Sequence, residues 1–434
     1  MPKSKVLFVC GECGGEHLRW QGQCQFCREW NTLKEVTSIK SVTSVTGPRK
    51  PKKLSEITQT TVARLTTGIG EFDRVLGEGI VPGSAVLLSG PPGIGKSTLL
   101  LQVAEKIGKK NPVVYVSGEE SEEQIAGRAE RLGIKADNLY FLAQTDLELI
   151  LSELAEMDKL GLVVVDSLQT TTSENATGSG GSPSQLKYAA AQLTNFAKAR
   201  NVPVVMTGHV TKTFQIGGPK FLEHIVDVVL AFEGDKFSSL RVLRSQKNRF
   251  GATSEVGIFE MGKKGLAEVT DPSAAFLKHH RSSPGSALMI ALEGSRPLLL
   301  EIQALTSPTS YAYPKRTTQG IASRRALLIL AVLDKYGRLN LSRSDIFVKS
   351  SLGMRVFEPA ADLAIAVAVA SSRLKKPLPA KLCFFGEVGL NGEIKAVTGE
   401  EDRIKHAKKL GLEPVTSTTY PIITDLLANL FPQI

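Results

Sequence analysis

The chain has 434 residues, 42% hydrophobic and 22% charged, with 53 basic against 43 acidic side chains and a formal charge of +10. That length exceeds the roughly 250–300 residues at which a single core stops growing, so two or three domains are expected. The longest apolar runs, Ala326–Leu333 and Leu363–Ala370, span eight residues each, which excludes a membrane helix of roughly 20.

The opening MPKSKVLFVC holds too short an apolar stretch for a signal-peptide core, so a soluble, cytoplasmic protein with no membrane partner is expected. The basic excess suits a polyanionic partner without demanding one. Four of the five cysteines then follow at Cys10, Cys13, Cys24 and Cys27. Two Cys-x-x-Cys knuckles supply a closed tetrahedral cage for Zn²⁺, with no position left for a catalytic water. Disulfides or a redox couple are the alternative, disfavoured in a reducing cytosol. Trp20 and Trp30 bracket the second knuckle and are expected to cover the metal, with His17 left to solvent. Residues 1–36 therefore read as a zinc-finger domain, a folding staple rather than a catalyst. Residues 37–56, containing the basic stretch Ser38–Leu54, read as a linker.

Residues 57–272 read as an ATPase domain. An apolar strand-like run, Ser84–Ser89, leads into Gly90-Pro91-Pro92-Gly93-Ile94-Gly95-Lys96-Ser97-Thr98 and then a helix-like LLLQVAEKI. This is a P-loop in the strand–loop–helix frame that gives the motif its meaning. Its backbone amides would wrap the phosphates of ATP, Lys96 reach the β- and γ-phosphates, and Ser97 ligate Mg²⁺. Two more β-branched runs suit a sheet buried on both faces: Pro112–Ser117, ending at Glu119, and Leu162–Val165, ending at Asp166. Asp166 stands where a carboxylate holds the magnesium, and Glu119 where one would polarise the attacking water. Glu119 could instead cap the following helix, or yield its role to Glu120. A fourth run, Val202–Thr207, ends at His209, which is either structural or a sensor of the γ-phosphate. The Gly/Ser-rich run Ser173–Ser184 and the segment Val210–Lys220, with Lys212 and Lys220, are candidate mobile loops for gripping a nucleic acid backbone.

Together with Tyr115–Ser121 (YVSGEES), Val163–Thr170, Gly208–Lys212, Leu222–Leu230 and Lys247–Gly251 (KNRFG), these motifs resemble the bacterial RadA (Sms) family of DNA repair proteins, RecA/DnaB-related ATPases, over nearly the whole chain. The resemblance implies a RecA-like core assembled as a homo-hexamer around single-stranded or branched DNA. It also implies nucleotide between subunits, Lys247 and Arg249 reaching a neighbour's γ-phosphate, and the recombinase RecA as a partner. The function implied is a DNA-dependent ATPase that drives branch migration and heteroduplex extension in recombination and repair, in the nucleoid-associated cytoplasm. An ATP-switched DNA-binding scaffold and an ATP-dependent protease are the alternatives.

Residues 273–434 change character. Strands are expected at Ser286–Leu292 and Pro297–Leu305, and helices at Ala322–Lys335 and Ala361–Leu374. Cys383–Lys395 (CFFGEVGLNGEIK) resembles the proteolytic domain of Lon. In that alignment Ala360 takes the place of the nucleophilic serine and the place of its lysine base falls near Glu401, so an α+β domain inactive as a protease is implied. Lys405, Lys408 and Lys409 are candidate DNA contacts on its surface.

Overall fold

The structure, a computed structural model, describes residues 7–17, 19–36, 63–135, 137–209, 220–234, 239–271, 273, 277, 280–309, 313–351 and 356–432. The expected linker at 37–56 and most of the Val210–Lys220 loop lie outside these residues. The chain divides into two compact units, Met1–Glu268 and Val269–Ile434.

The first unit begins with a three-stranded antiparallel sheet: β1 (Leu7–Cys10) lies between β2 (Glu16–His17) and β3 (Leu33–Val36). Too small to bury much apolar surface, it centres on Cys10, Cys24 and Leu33.

Beyond it stand α1 (Gly70–Leu76), β4 (Ala85–Gly90), α2 (Lys96–Gly108), β5 (Val113–Ser117), α3 (Glu122–Leu132), β6 (Leu139–Ala143), α4 (Leu147–Glu156), β7 (Leu162–Asp166), α5 (Pro183–Arg200), β8 (Val204–His209), α6 (Lys220–Glu223), β9 (Val228–Glu233), β10 (Leu240–Asn248), β11 (Val256–Gly262) and β12 (Gly265–Glu268). They build one nine-stranded sheet in the order β12-β11-β10-β9-β4-β8-β7-β5-β6. The strands from β9 to β6 in that order are all parallel, and β10 to β12 extend the sheet antiparallel beyond β9. Alternate residues of β4 divide between two cores. Val86 and Leu88 face α1 and α2, while Ala85 and Leu87 face α4 and α5. A sheet covered on both faces explains its near-continuous apolar strands.

The second unit holds β13 (Ser286–Glu293), β14 (Arg296–Pro308), β15 (Arg316–Gln319), α7 (Ser323–Lys335), β16 (Ser344–Ser350), α8 (Ala361–Leu374), β17 (Leu382–Phe384), β18 (Glu387–Val388), β19 (Ile394–Lys395), α9 (Glu400–Lys409), β20 (Glu413–Val415) and α10 (Ile423–Leu430). Its mixed sheet runs β15-β16-β14-β13-β17-β20. Helix α8 is buried from Ala361 through Ser371; apolar all round from Leu363 to Ala370, it serves as the central rod of this core. The fold class read from the sequence is the one observed: an α/β P-loop core, a four-cysteine ribbon before it and an α+β unit after it. Among the described residues no helix is long and apolar enough to cross a membrane.

Candidate functional site

The parallel strands place their carboxyl ends on one edge, and β4 delivers the P-loop there. Gly95 caps α2 with φ of 114° and no capping side chain, so the first amides of the helix face outward, ready for an anion. A Cβ at Gly95 would come within 2.5 Å of Met261 Cε, and one at Gly90 within 2.6 Å of the Phe232 carbonyl. Glycine is required at Gly90 by the backbone contact and at Gly95 by its positive φ. Pro91, Pro92 and Gly93 are exposed at the tip, whereas Ile94 and Lys96 are buried beneath it. Lys96 Nζ donates to the carbonyls of Gly90 at 2.9 Å and Pro91 at 3.2 Å. Burial lowers its pKa, opposed by the charges of Asp166 and Glu119, which therefore lie within its field.

Those two carboxylates differ in surroundings. Asp166 is 7% exposed and accepts hydrogen bonds from Tyr115 and Thr207. Glu119 is exposed and accepts a 2.5 Å hydrogen bond from Ser167 Oγ, which ties it to the residue after Asp166. Its rival Glu120 is occupied by Arg128 at 2.5 Å. Neither caps the next helix: Ser121 does, in a reciprocal capping box with Gln124. The Cα of His209, at the end of β8, pairs with that of Gly90.

Four residues around this edge escape sequence reasoning. Tyr115, Thr207 and Ser167 orient the carboxylates, and Arg241 donates from Nε to the P-loop carbonyl of Ile94 at 3.1 Å. Tyr115 and Ser167 lie inside the stretches Tyr115–Ser121 and Val163–Thr170, but their roles do not show there, because each acts across strands.

The run Ser173–Ser184, expected as a mobile loop, is laced to the start of α5. Gln185 accepts from the Ser173 amide and donates to the carbonyls of Ser173 and Ala176, all within 2.9 Å. Lys247 and Arg249 do come together. Lys247 Nζ donates to the carbonyls of Glu223 and Val226, and Arg249 pairs with Asp227 at 2.9 Å. Burial and then the neighbouring Arg249 lower the pKa of Lys247. This cluster lies at the end of the sheet away from the P-loop, since the amide and carbonyl of Asp227 and Ala85 meet at the start of β4.

In the ribbon, the sulfurs of Cys10, Cys13, Cys24 and Cys27 lie within 4.8 Å of one another and form no disulfide. Cys10 to Cys27 is 3.6 Å and Cys13 to Cys24 is 3.5 Å, close to the roughly 3.8 Å edge of a zinc–thiolate tetrahedron. The donor set fits Zn²⁺. Burial raises the Cys13 thiol. Burial also resists ionisation of Cys10, but hydrogen bonds with Thr32 and the backbone of Cys13 and Glu12 outweigh it and bring its pKa down to about 6. Two expectations need correction. Trp20 and Trp30 do not cover the metal: they are 58% and 67% exposed. His17 is not solvated: it is buried with Nε2 3.4 Å from Cys24 Sγ and its ring edge-on to Phe26.

In the second unit Ala360 is fully buried and begins α8, so no hydroxyl nucleophile stands at that turn. Glu401 is exposed on α9. The residue of α9 that meets the turn is Arg403, which is buried, pairs with both oxygens of Glu358 and donates to the Ile290 carbonyl. This ion pair ties α9 to the Glu358–Asp362 turn.

A P-loop with its strand-end carboxylates, preceded by a four-thiolate ribbon, defines a zinc-binding P-loop ATPase. Family models agree: one described as an AAA domain matches residues 51–215, and one described as a rubredoxin metal binding domain matches residues 8–35. The DNA repair protein RadA of Aquifex aeolicus is 46% identical over 95% of this chain and 93% of its own. Those of Bacillus subtilis and Escherichia coli are each 46% identical, over 95% and 94% of this chain and 92% and 91% of theirs. A solved structure, described as the crystal structure of the RadB recombinase, is 26% identical, covers 47% of this chain and 99% of that chain, and has a TM-score of 0.38. The chain belongs to the RadA family of DNA repair proteins.

Proposed function

We propose that this ATPase is DNA-dependent and acts in homologous recombination, extending heteroduplex by branch migration as a ring-shaped hexamer on single-stranded DNA. One observation carries the reading. Arg249 is anchored at Asp227, level with Ala85, five residues before Gly90 along β4, or about 16 Å at roughly 3.3 Å per residue. Cations so far from their own P-loop are suited to a neighbouring copy's phosphate, as fingers acting in trans are.

In this reading the amides of Gly90–Thr98 and Lys96 hold the phosphates of ATP. Ser97 and Asp166 would hold Mg²⁺, a hard cation that their oxygens fit and that neutralises charge developing on the phosphates. Glu119, steadied by Ser167, orients and polarises the attacking water. Lys247 and Arg249 of the adjacent subunit complete the site. His209, beside Gly90, relays the phosphate state to the segment after it, and this segment and Ser173–Ser184 grip the DNA backbone. The ribbon is an attachment module for DNA or a recombinase partner of the RecA kind. The unit after residue 272 is an assembly and DNA-binding platform built on a Lon-like fold. With Ala360 at the turn, the protease reading has no nucleophile, and the motor reading is preferred.

Lys96→Ala tests the site: single-strand-stimulated ATP hydrolysis and junction processing should both disappear. Full turnover in that variant, or a wild-type protein that stays monomeric on DNA, would overturn the proposal. Electron microscopy with ATP and single-stranded DNA should show closed rings rather than filaments.

A further inference from the structure

Asp166 ends β7 with its carboxylate buried between the two strands that flank it. From β5, the Tyr115 hydroxyl donates to Oδ2 at 2.6 Å; from β8, the Thr207 hydroxyl donates to Oδ1 at 2.6 Å. Register explains why these two residues meet it. Val165 pairs with Met206, so Asp166 runs level with Thr207. Tyr115 pairs with Val164 on the same face of the sheet, and its long ring reaches forward past that residue to the carboxylate.

Tyr115 is 1% exposed and stacked on Phe141, with ring centroids 6.5 Å apart. Packing alone would be served by phenylalanine. A buried hydroxyl needs a partner, and this one spends its hydrogen bond on Asp166, whose charge acts on the P-loop lysine.

We propose that Tyr115 is a positioning residue for the nucleotide-bound cation, its hydroxyl acting with that of Thr207 to fix the Asp166 carboxylate toward the metal site. With each oxygen already accepting one hydroxyl, Asp166 has one orientation available. What remains of its acceptor capacity is turned toward the water shell of a cation beside Ser97. Outer partners of this kind set metal affinity without touching the metal. The inference rests on the reading of Asp166 as a magnesium-holding carboxylate.

The test is equilibrium binding of a fluorescent ATP analogue to the full-length protein, titrated in EDTA and again across Mg²⁺ concentrations. Wild type should bind more tightly with Mg²⁺. Tyr115→Phe should keep its EDTA affinity within about twofold, yet need about tenfold more Mg²⁺ for half of the tightening. Thr207→Val should behave similarly, and Thr207→Ser, which keeps the donor, should restore the wild-type titration. Tyr115→Phe and Thr207→Val titrations that match wild type, or affinity lost equally with and without Mg²⁺, would overturn the inference while leaving Asp166 in its role. Should Tyr115→Phe fail to fold, the contrast between Thr207→Val and Thr207→Ser decides alone. A wild-type protein whose nucleotide binding ignores Mg²⁺ would instead remove the Asp166 reading itself, and the inference with it.

Discussion

Arg249 Nη1 lies 2.9 Å from Asp227 Oδ1, and that carboxylate also accepts from the Ala85 amide at 3.1 Å, so Arg249 is docked at the start of the strand whose far end carries its own P-loop. If the catalytic unit is an interface, the defects of Lys96→Ala and Arg249→Ala belong to opposite sides of it. Each variant alone should lose DNA-stimulated hydrolysis, by roughly 10³-fold or more for the finger, while Arg249→Ala keeps nucleotide binding. Mixed in one ring, the two should recover part of the activity, because the intact P-loop of one subunit meets the intact finger of the next. Mixtures that stay inactive at every ratio would count against sharing in trans.

The pair Glu119 and Glu120 makes a sharper contrast. Glu119 is held by Ser167 next to Asp166, whereas Glu120 is spent on Arg128 at 2.5 Å. Glu119→Gln should therefore cut turnover by roughly 10²–10⁴-fold with ATP affinity kept. Glu120→Gln should change turnover by no more than about threefold, since a partly exposed ion pair contributes at most about 1 kcal/mol. Steady-state kinetics with matched nucleotide titrations separate them, and the reverse order of effects would move the catalytic role to Glu120.

What could be read in advance follows from how far apart the partners are in sequence. The P-loop is contiguous, and its strand, turn and helix announce themselves within 25 residues. Helix α8 is equally plain, because eight consecutive apolar residues fill Leu363–Ala370, and it spans Ala361–Leu374 as expected. Of the antiparallel strands β10 to β12, the stretch at Lys247 reads as strand-like, but the pairing of the three beyond β9 does not show in sequence, because it joins them across turns. Tyr115 and Thr207 are hidden for another reason: their partner is 51 and 41 residues away, and only the strand order brings them to it. Glu401 and Arg403 show a further limit, because sequence alone does not say which face of α9 is buried. Two positions turn a helix by about 200°, so Glu401 faces solvent while Arg403 is buried against Glu358.

The ribbon offers its own reporters, since Trp20 and Trp30 are the only tryptophans in the chain. Stripping zinc with a strong chelator should shift tryptophan emission and abolish protection of residues 7–36, because a segment this small folds on its metal. His17 Nε2 lies 3.4 Å from Cys24 Sγ and its Nδ1 faces Gln21, so His17→Ala should weaken zinc binding about tenfold, as removal of an outer partner does. Competition with a zinc indicator measures this. An unchanged affinity would make the buried histidine a packing residue only.

Asp362 supplies a pH dependence in the second unit. Burial raises its carboxyl from an ordinary 3.8 to about 6, although Arg325 Nη1 lies 2.9 Å from both oxygens and the Val388 amide also donates. A folded-state pKa above the unfolded one means the folded form holds its proton more tightly between pH 4 and 6. Stability from this group is thus greatest below pH 4, falls as pH rises through that window and levels off above 6. A displacement of about two pH units corresponds to about 3 kcal/mol. Asp362→Asn removes the titration, so wild type should lose about that much relative to the variant between pH 4 and 7. Hydrogen exchange of the Ala361–Leu374 amides, corrected for intrinsic rates, reads the difference where it arises. A gap between the two proteins that is constant across that range would show that Arg325 already holds the carboxylate ionised throughout.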